Sequence, residues 1–317
     1  MLIAGMFQGS NNFDTQAAYL SAVKSVPFVE NSVETALPQT EIYNIIEKHF
    51  SSPLSEGKTQ KKAIVIGYDG CRADALSLAD SENSGIYELL GAGGSAYISY
   101  CGGKNYPALN TQATSTAPGW CSMLTGCWAD VHGISDNSIV KSNEHLTLLT
   151  TLVESGRADS SAFYVSWGGH FSSEDSTYRL EKEYAQQNGI DAAFVCADGD
   201  GGTYANVMAD IENADCSDFI FSIFEYPDHT GHSTGFNLKN PDYVNSFAES
   251  ETTAKAVINA VKARPAYESE DWLILITSDH GGYNTGHGNM TLQERMTFIA
   301  ANKDLGYAFE ETSAPVC

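Results

Sequence analysis

Basic residues are scarce in this chain. Its 317 residues hold 17 lysines and arginines against 40 aspartates and glutamates, a formal net charge of −23. Nucleic-acid polymers and anionic membranes are bound through basic patches, so that balance argues against both. No basic tract or nucleic-acid-binding module is present. An anionic substrate would need local positive charge from bound cations. Long apolar runs are also missing, since no stretch approaches the roughly 20 apolar residues that span a bilayer. The opening Met1-Leu-Ile-Ala-Gly-Met-Phe-Gln8 lacks the basic and extended apolar regions of a secretory signal. The seven cysteines show no CxxC spacing, and their odd number leaves at least one unpaired. A disulfide framework is therefore disfavoured, a reducing compartment is favoured, and each cysteine reads as a small buried hydrophobe. Internal repeats and low-complexity tracts are absent. The expectation is a soluble, cytoplasmic protein.

What is present is the pattern of a large α/β domain. Hydrophobic residues make up 42% of the chain, enough for an ordinary globular core. Residues 1–60 read as a helical preamble and linker, with Ile42, Ile45, Ile46 and Phe50 on one helix face and a polar stretch from Ser51 to Gln60. Residues 61–317 then read as the main α/β domain. Its first strand, Ala63 to Ile66, is a continuous apolar run of the kind buried on both faces of a parallel sheet. Further strands are expected at Ala96–Tyr100, Ala162–Val165, Ala192–Cys196, Phe219–Phe224 and Trp272–Thr277. Helical patterns at Leu146–Ser155 and Tyr243–Lys262 lie between them. That alternation predicts an α/β fold with a mostly parallel central sheet and helices on both faces.

Ligands of such sheets bind beyond the carboxyl ends of the strands. Asp69 stands just past one expected strand, Asp228 shortly past another, and Asp279-His280 just past a third. Asp228 and His232 are spaced by one helical turn, so both side chains can point the same way. His287 follows within the glycine-rich "TSDHGGYNTGHG". Acids and imidazoles converging from unrelated segments are the donors a transition metal takes. His229 points elsewhere and reads as a surface residue. A second unusual stretch is "NTQATSTAPGWCSMLTG", where Thr114, Ser115 and Thr116 precede a helix expected from Trp120 to Leu124. A hydroxyl there can cap the helix. Bound to a metal it can instead act as a nucleophile.

Together these segments resemble the alkaline-phosphatase superfamily, and most closely its nucleotide pyrophosphatase/phosphodiesterase family. The matching pieces run in order over about residues 60–300: "DGCRADAL" from Asp69, Thr116-Ala-Pro118 with Ser122 and Thr125-Gly126, "HGISDN" from His132, "EYPDHTGH" from Glu225, and "TSDHG" from Thr277. The resemblance implies two divalent metal ions, usually zinc. Asp228, His232 and His287 would hold one, and Asp69, Asp279, His280 and the Thr116 hydroxyl the other. Thr116 would be the nucleophile, forming a covalent phospho-enzyme, and Asn137 would contact a non-bridging phosphate oxygen. The implied substrate is a small phosphoester, hydrolysed by a phosphodiesterase or pyrophosphatase.

The chain departs from the family pattern at Ala117, where an aromatic residue is common, and at Gly119-Trp120, where Asn-His is common. His287 also lies closer to Asp279 than in the nucleotide pyrophosphatases. Sulfatases need a cysteine where Thr116 stands, and Cys121 comes five residues too late. Phosphomonoesterase or phosphonate hydrolase activity is the nearest alternative, and a metal-binding but inactive relative a more distant one. A monoester dianion benefits from an arginine clamp. Arg72 reads as structural and Lys104 is the other nearby cation, so the singly charged diester is favoured. Trp167, His170 and Tyr106 are candidates for a pocket wall, with core packing as their simpler role.

Overall fold

The structure is a computed structural model in which residues 14–103 and 111–309 are described. Lys104 and Tyr106 lie outside those residues. Eight strands form one sheet: β1 (Leu37–Pro38), β2 (Gln60–Tyr68), β3 (Ser95–Tyr100), β4 (Ser161–Val165), β5 (Ala192–Cys196), β6 (Phe219–Phe224), β7 (Glu270–Thr277) and β8 (Met296–Ala301). Their order is β1-β3-β8-β7-β2-β6-β4-β5. Every pairing is parallel except those β8 makes with β3 and β7. The fold is therefore the α/β, mostly parallel sheet that the sequence predicts.

Side chains alternate between the two faces of a strand, and the central strands bury both. Ile64, Ile66, Ile220, Ile274 and Ile276 feed one core, where Phe247, Ala254, Val257 and Ile258 of the Pro241–Lys262 helix cover them. Val65, Phe219, Phe221, Leu273 and Leu275 feed the opposite core, under the helices Glu41–Ser51 and Thr116–Thr125. Each fully buried branched side chain stabilises the fold by roughly 1.5–3 kcal/mol. The first helices are packed into this body. Tyr19 and Val23 of the Gln16–Lys24 helix join the first core, and Ile42, Ile45, Ile46 and Phe50 join the second.

Three elements differ from the sequence expectation. β1 and β8 were not anticipated, because one is two residues long and the other follows a single short helical turn, Leu292–Arg295. The helix expected from Trp120 begins at Thr116, with Ser115 at the cap position and Pro118 in the first turn. Proline there is compatible with a helix, because first-turn N–H groups have no intrahelical partner.

Candidate metal site at the carboxyl edge of the sheet

Strands β7, β2 and β6 are neighbours, so their carboxyl ends place Asp279-His280, Asp69 and Asp228 side by side. Asp69 N–H donates to Phe224 O at 2.9 Å, extending the β2–β6 ladder by one residue and fixing the acid's backbone. Gly70 follows with φ +66°, and a Cβ on it would stand 2.7 Å from Asp228 Cβ. Only glycine allows that turn and that approach. Because β8 returns antiparallel, the whole 278–295 connection stays at this edge, which is how His287 reaches the site.

The Asp228 helix, Tyr226–Thr234, is held at its start by Asp200. That buried carboxylate accepts from Glu225 N and Tyr226 N, both at 2.9 Å, and from Ser166 Oγ at 3.0 Å. Asp200 carried no sequence signal. Glu225 did, as the first residue of the motif quoted for Asp228, but no role was given to it. It is buried beside the cluster, and burial, then Asp69 and Asp228, pushes its carboxyl well above the usual range.

The three imidazoles share one arrangement. Nδ1 of His232 lies 2.9 Å from Thr285 O, that of His280 2.8 Å from Gly281 O, and that of His287 3.1 Å from Thr114 O. A carbonyl only accepts, so each Nδ1 carries a proton and each Nε2 is the atom turned toward the carboxylates, as in metal-ligating histidines. His280 Nε2 stands 3.4 Å from Asp69 Oδ1 and 3.3 Å from Asp279 Oδ2. His232 Nε2 and His287 Nε2 lie 3.4 and 3.6 Å from the two oxygens of Asp228, and 3.1 Å from each other. Imidazole nitrogens and carboxylate oxygens facing one another at these distances are a donor set that a divalent cation can take.

Two oxygens at the centre, Asp228 Oδ1 and Asp279 Oδ2, are buried without a hydrogen-bond partner. Burial, then a neighbouring carboxylate, raises the Asp69 and Asp279 carboxyls well above their usual range. Burial lowers His280 to about 3 and also lowers His287, keeping both neutral. His232 is raised to about 9 by its hydrogen bond to Asp228. Asp228 itself is lowered: burial opposes ionisation, and the hydrogen bond from His232 together with the neighbouring His280 and His287 outweighs it. Two sets of donor atoms lie within 4.8 Å of one another, Asp69/Asp279/His280 and Asp228/His280/His287. His280 stands between them, and His232 joins the second through its contacts with Asp228 and His287. The oxygen and imidazole donors fit two divalent cations of zinc type.

Thr116 Oγ1 sits 3.4 Å from Asp69 Oδ1 and 3.5 Å from His280 Nε2. It occupies the first helical position and not the cap. Asn137 Oδ1 accepts from Ala117 N at 2.8 Å, which leaves its Nδ2 as the free end of the amide. Trp120, a departure from the family pattern with no role expected at the site, donates its indole N–H to Asp69 Oδ2 at 2.9 Å.

Other expected roles resolve simply. Arg72 is buried, and its five N–H donors are all taken, by Asp14, Asp74 and Phe236 O. It is structural. His170 is fully buried against Phe163, Trp167 and Tyr178, as core packing requires, and burial lowers it to about 3. His229 is exposed.

A family model described as type I phosphodiesterase / nucleotide pyrophosphatase matches residues 63–297. No curated protein matches the chain. Among solved structures, the chain is similar to murine ectonucleotide pyrophosphatase / phosphodiesterase 5, at 19% identity and TM-score 0.46, covering 70% of this chain and 57% of that one. It is similar to an alkaline phosphatase from the Antarctic bacterium TAB5, at 14% identity and TM-score 0.45, covering 77% and 91%. It also resembles the phosphonate monoester hydrolase of Agrobacterium radiobacter, at 11% identity and TM-score 0.51, covering 77% and 68%. The last likeness extends to the fold. The chain thus spans little more than half the length of the murine protein.

Proposed function

Because the chain belongs to the type I phosphodiesterase / nucleotide pyrophosphatase family, we propose that it hydrolyses a small phosphodiester or pyrophosphate with Thr116 as nucleophile. Asp69, Asp279, His280 and the Thr116 hydroxyl would hold one divalent cation, and Asp228, His232 and His287 a second, with zinc suited to these donors. The observation that carries this reading is the position of Thr116 Oγ1, within 3.5 Å of both Asp69 Oδ1 and His280 Nε2. When bound, the cations would ease deprotonation of the attacking hydroxyl and take up charge on the phosphoryl and leaving oxygens.

The chain's own residues do the rest. Thr116 Oγ, its proton lost, attacks phosphorus and the bond to one leaving oxygen breaks; the threonyl phosphodiester that forms keeps the substrate's other ester group, and water then cleaves it to free Thr116 and release a phosphomonoester. Asn137 steadies the phosphoryl group. Its Oδ1 is committed to Ala117 N–H, so its Nδ2 donates to a non-bridging oxygen. Pro118 offers no N–H and Ala117 N–H is taken, so neither of those backbone positions donates to the phosphoryl group. Among the described residues no lysine or arginine hydrogen-bonds to the site's carboxylates. With Arg72 fully committed to Asp14, Asp74 and Phe236 O, a singly charged diester fits better than a monoester dianion. The test is acid quenching of zinc-loaded protein during turnover of bis-p-nitrophenyl phosphate, followed by peptide mass spectrometry. A p-nitrophenylphosphoryl group on Thr116 is expected; an adduct on no residue, or on Ser115, would sink the assignment.

A further inference from the structure

We propose that Trp120 is a positioning residue for the Asp69 cluster, its indole N–H determining which oxygen of Asp69 faces the cation. The inference rests on the two-cation reading of the site. Trp120 lies four residues beyond Thr116 on the same helix, so both side chains emerge from one face. Its Nε1–H donates to Asp69 Oδ2 at 2.9 Å, and among the described residues it is the sole hydrogen-bond donor to that oxygen. Oδ1 is thereby the oxygen left toward Thr116 Oγ1 and His280 Nε2, each at 3.4 Å. Since the Asp69 backbone N–H is already tied to Phe224 O, the acid is anchored at both ends.

The indole cannot turn away. Trp120 is fully buried, and its ring meets Phe221 edge-on at 5.6 Å between centroids. A Cβ on Gly67 of β2 would overlap the far edge of the indole. One on Gly119 would come within 2.8 Å of Asp279 Cβ and 2.9 Å of Asp279 O. Gly67, Gly119 and Trp120 therefore form one fit, in which the helix carrying the nucleophile is pressed onto two of the acids. The chemistry of the donor suits the task. An indole N–H donates only and has no lone pair to offer, so it neither competes for the cation nor changes charge with pH. With Oδ2 so occupied, Asp69 presents a single oxygen in a fixed direction. Outer-layer donors of this kind are worth about 10–100-fold in metal affinity.

Zinc alone, titrated into the metal-stripped full chain against a chromophoric chelator, tests the inference. Wild type is expected to take two zinc ions. Trp120→Phe should bind one as wild type does and the other about 10–100-fold more weakly, the loss expected on removing such a donor. Its kcat should recover with excess zinc while KM stays unchanged. Trp120→His is the rescue, because imidazole Nε2 and indole Nε1 are the same atom of the five-membered ring counted from Cγ. It should bind both ions within a few-fold of wild type. Wild-type affinities in Trp120→Phe, or equal weakening in Phe and His variants, would overturn the role of the N–H. If Trp120→Phe does not fold, Trp120→His decides: retained affinity supports the inference and weakened affinity ends it. A wild-type chain that takes up no zinc overturns the two-cation reading beneath, and is told apart by that result.

Discussion

At the scale of single residues, Thr116 is where nucleophile and helix cap make different predictions. Ser115 occupies the cap position, and Thr116 Oγ1 faces Asp69 and His280. Thr116→Ala should lower kcat on the order of a thousandfold with little change in melting temperature, as expected when a reacting atom is removed. Thr116→Ser keeps the hydroxyl and should keep measurable turnover, while Ser115→Ala should stay active. A fully active Thr116→Ala variant would end the nucleophile assignment. The acids and imidazoles could be read from the sequence because each stands just past an apolar strand, and strand ends of a parallel sheet share one edge. Trp120 and Asp200 could not. A tryptophan inside an apolar helix reads as core, and an aspartate near a helix start reads as a cap. Their bonds to Asp69 and to the backbone of Glu225 and Tyr226 exist only once distant segments are assembled.

At the scale of elements, two contacts show packing overriding local preference. Alanine is favoured over glycine inside a helix by about 1 kcal/mol. Gly119→Ala should nonetheless lower both melting temperature and kcat, because the added Cβ meets Asp279 Cβ at 2.8 Å. A more stable, fully active variant would show that the helix can lift away from β7. At the opposite edge of the sheet, Lys61 of β2 pairs in register with Asp271 of β7. Asp271 Oδ2 accepts from Lys61 Nζ at 2.5 Å and Oδ1 from Lys303 Nζ at 2.7 Å. Burial alone would raise this carboxyl, but its bonds to Lys303, Lys61 and Ser55 outweigh that and hold it well below the usual range. A depressed carboxyl stabilises the fold above its unfolded value, about 3.9, and that stability is lost as pH falls through the folded value. Urea melts of Asp271→Asn should therefore show a deficit at pH 7 that shrinks as pH falls below about 4. A deficit that grows on acidification would contradict the ion-pair account. The central parallel strands β2, β6 and β7 are legible as apolar runs. β8 is not, since Met296-Thr-Phe-Ile-Ala-Ala301 is short and ends in two alanines, which favour helix as readily as strand, and its antiparallel direction depends on pairing with β3 and β7.

At the scale of the whole molecule, charge bears on which phosphoester is turned over. A net charge of −23 repels anionic substrates, and a dianion more than a monoanion. Near the site the chain compounds this, because Asp69, Asp228, Asp279 and Glu225 converge there and Arg72 has no N–H left to offer. Two divalent cations would offset those carboxylates, leaving little positive charge for a second phosphate oxyanion. His232, its side chain 45% exposed, opens the second cluster to solvent, so a leaving group can project outward there without being buried. Zinc-loaded protein should therefore turn over bis-p-nitrophenyl phosphate with a higher kcat/KM than p-nitrophenyl phosphate. Raising ionic strength should narrow the gap, because screening relieves the dianion more. Both activities should disappear on chelation and return with zinc. A monoester preference that persists at high salt would point to a cationic clamp outside the described residues, and would move the chain from diester to monoester chemistry.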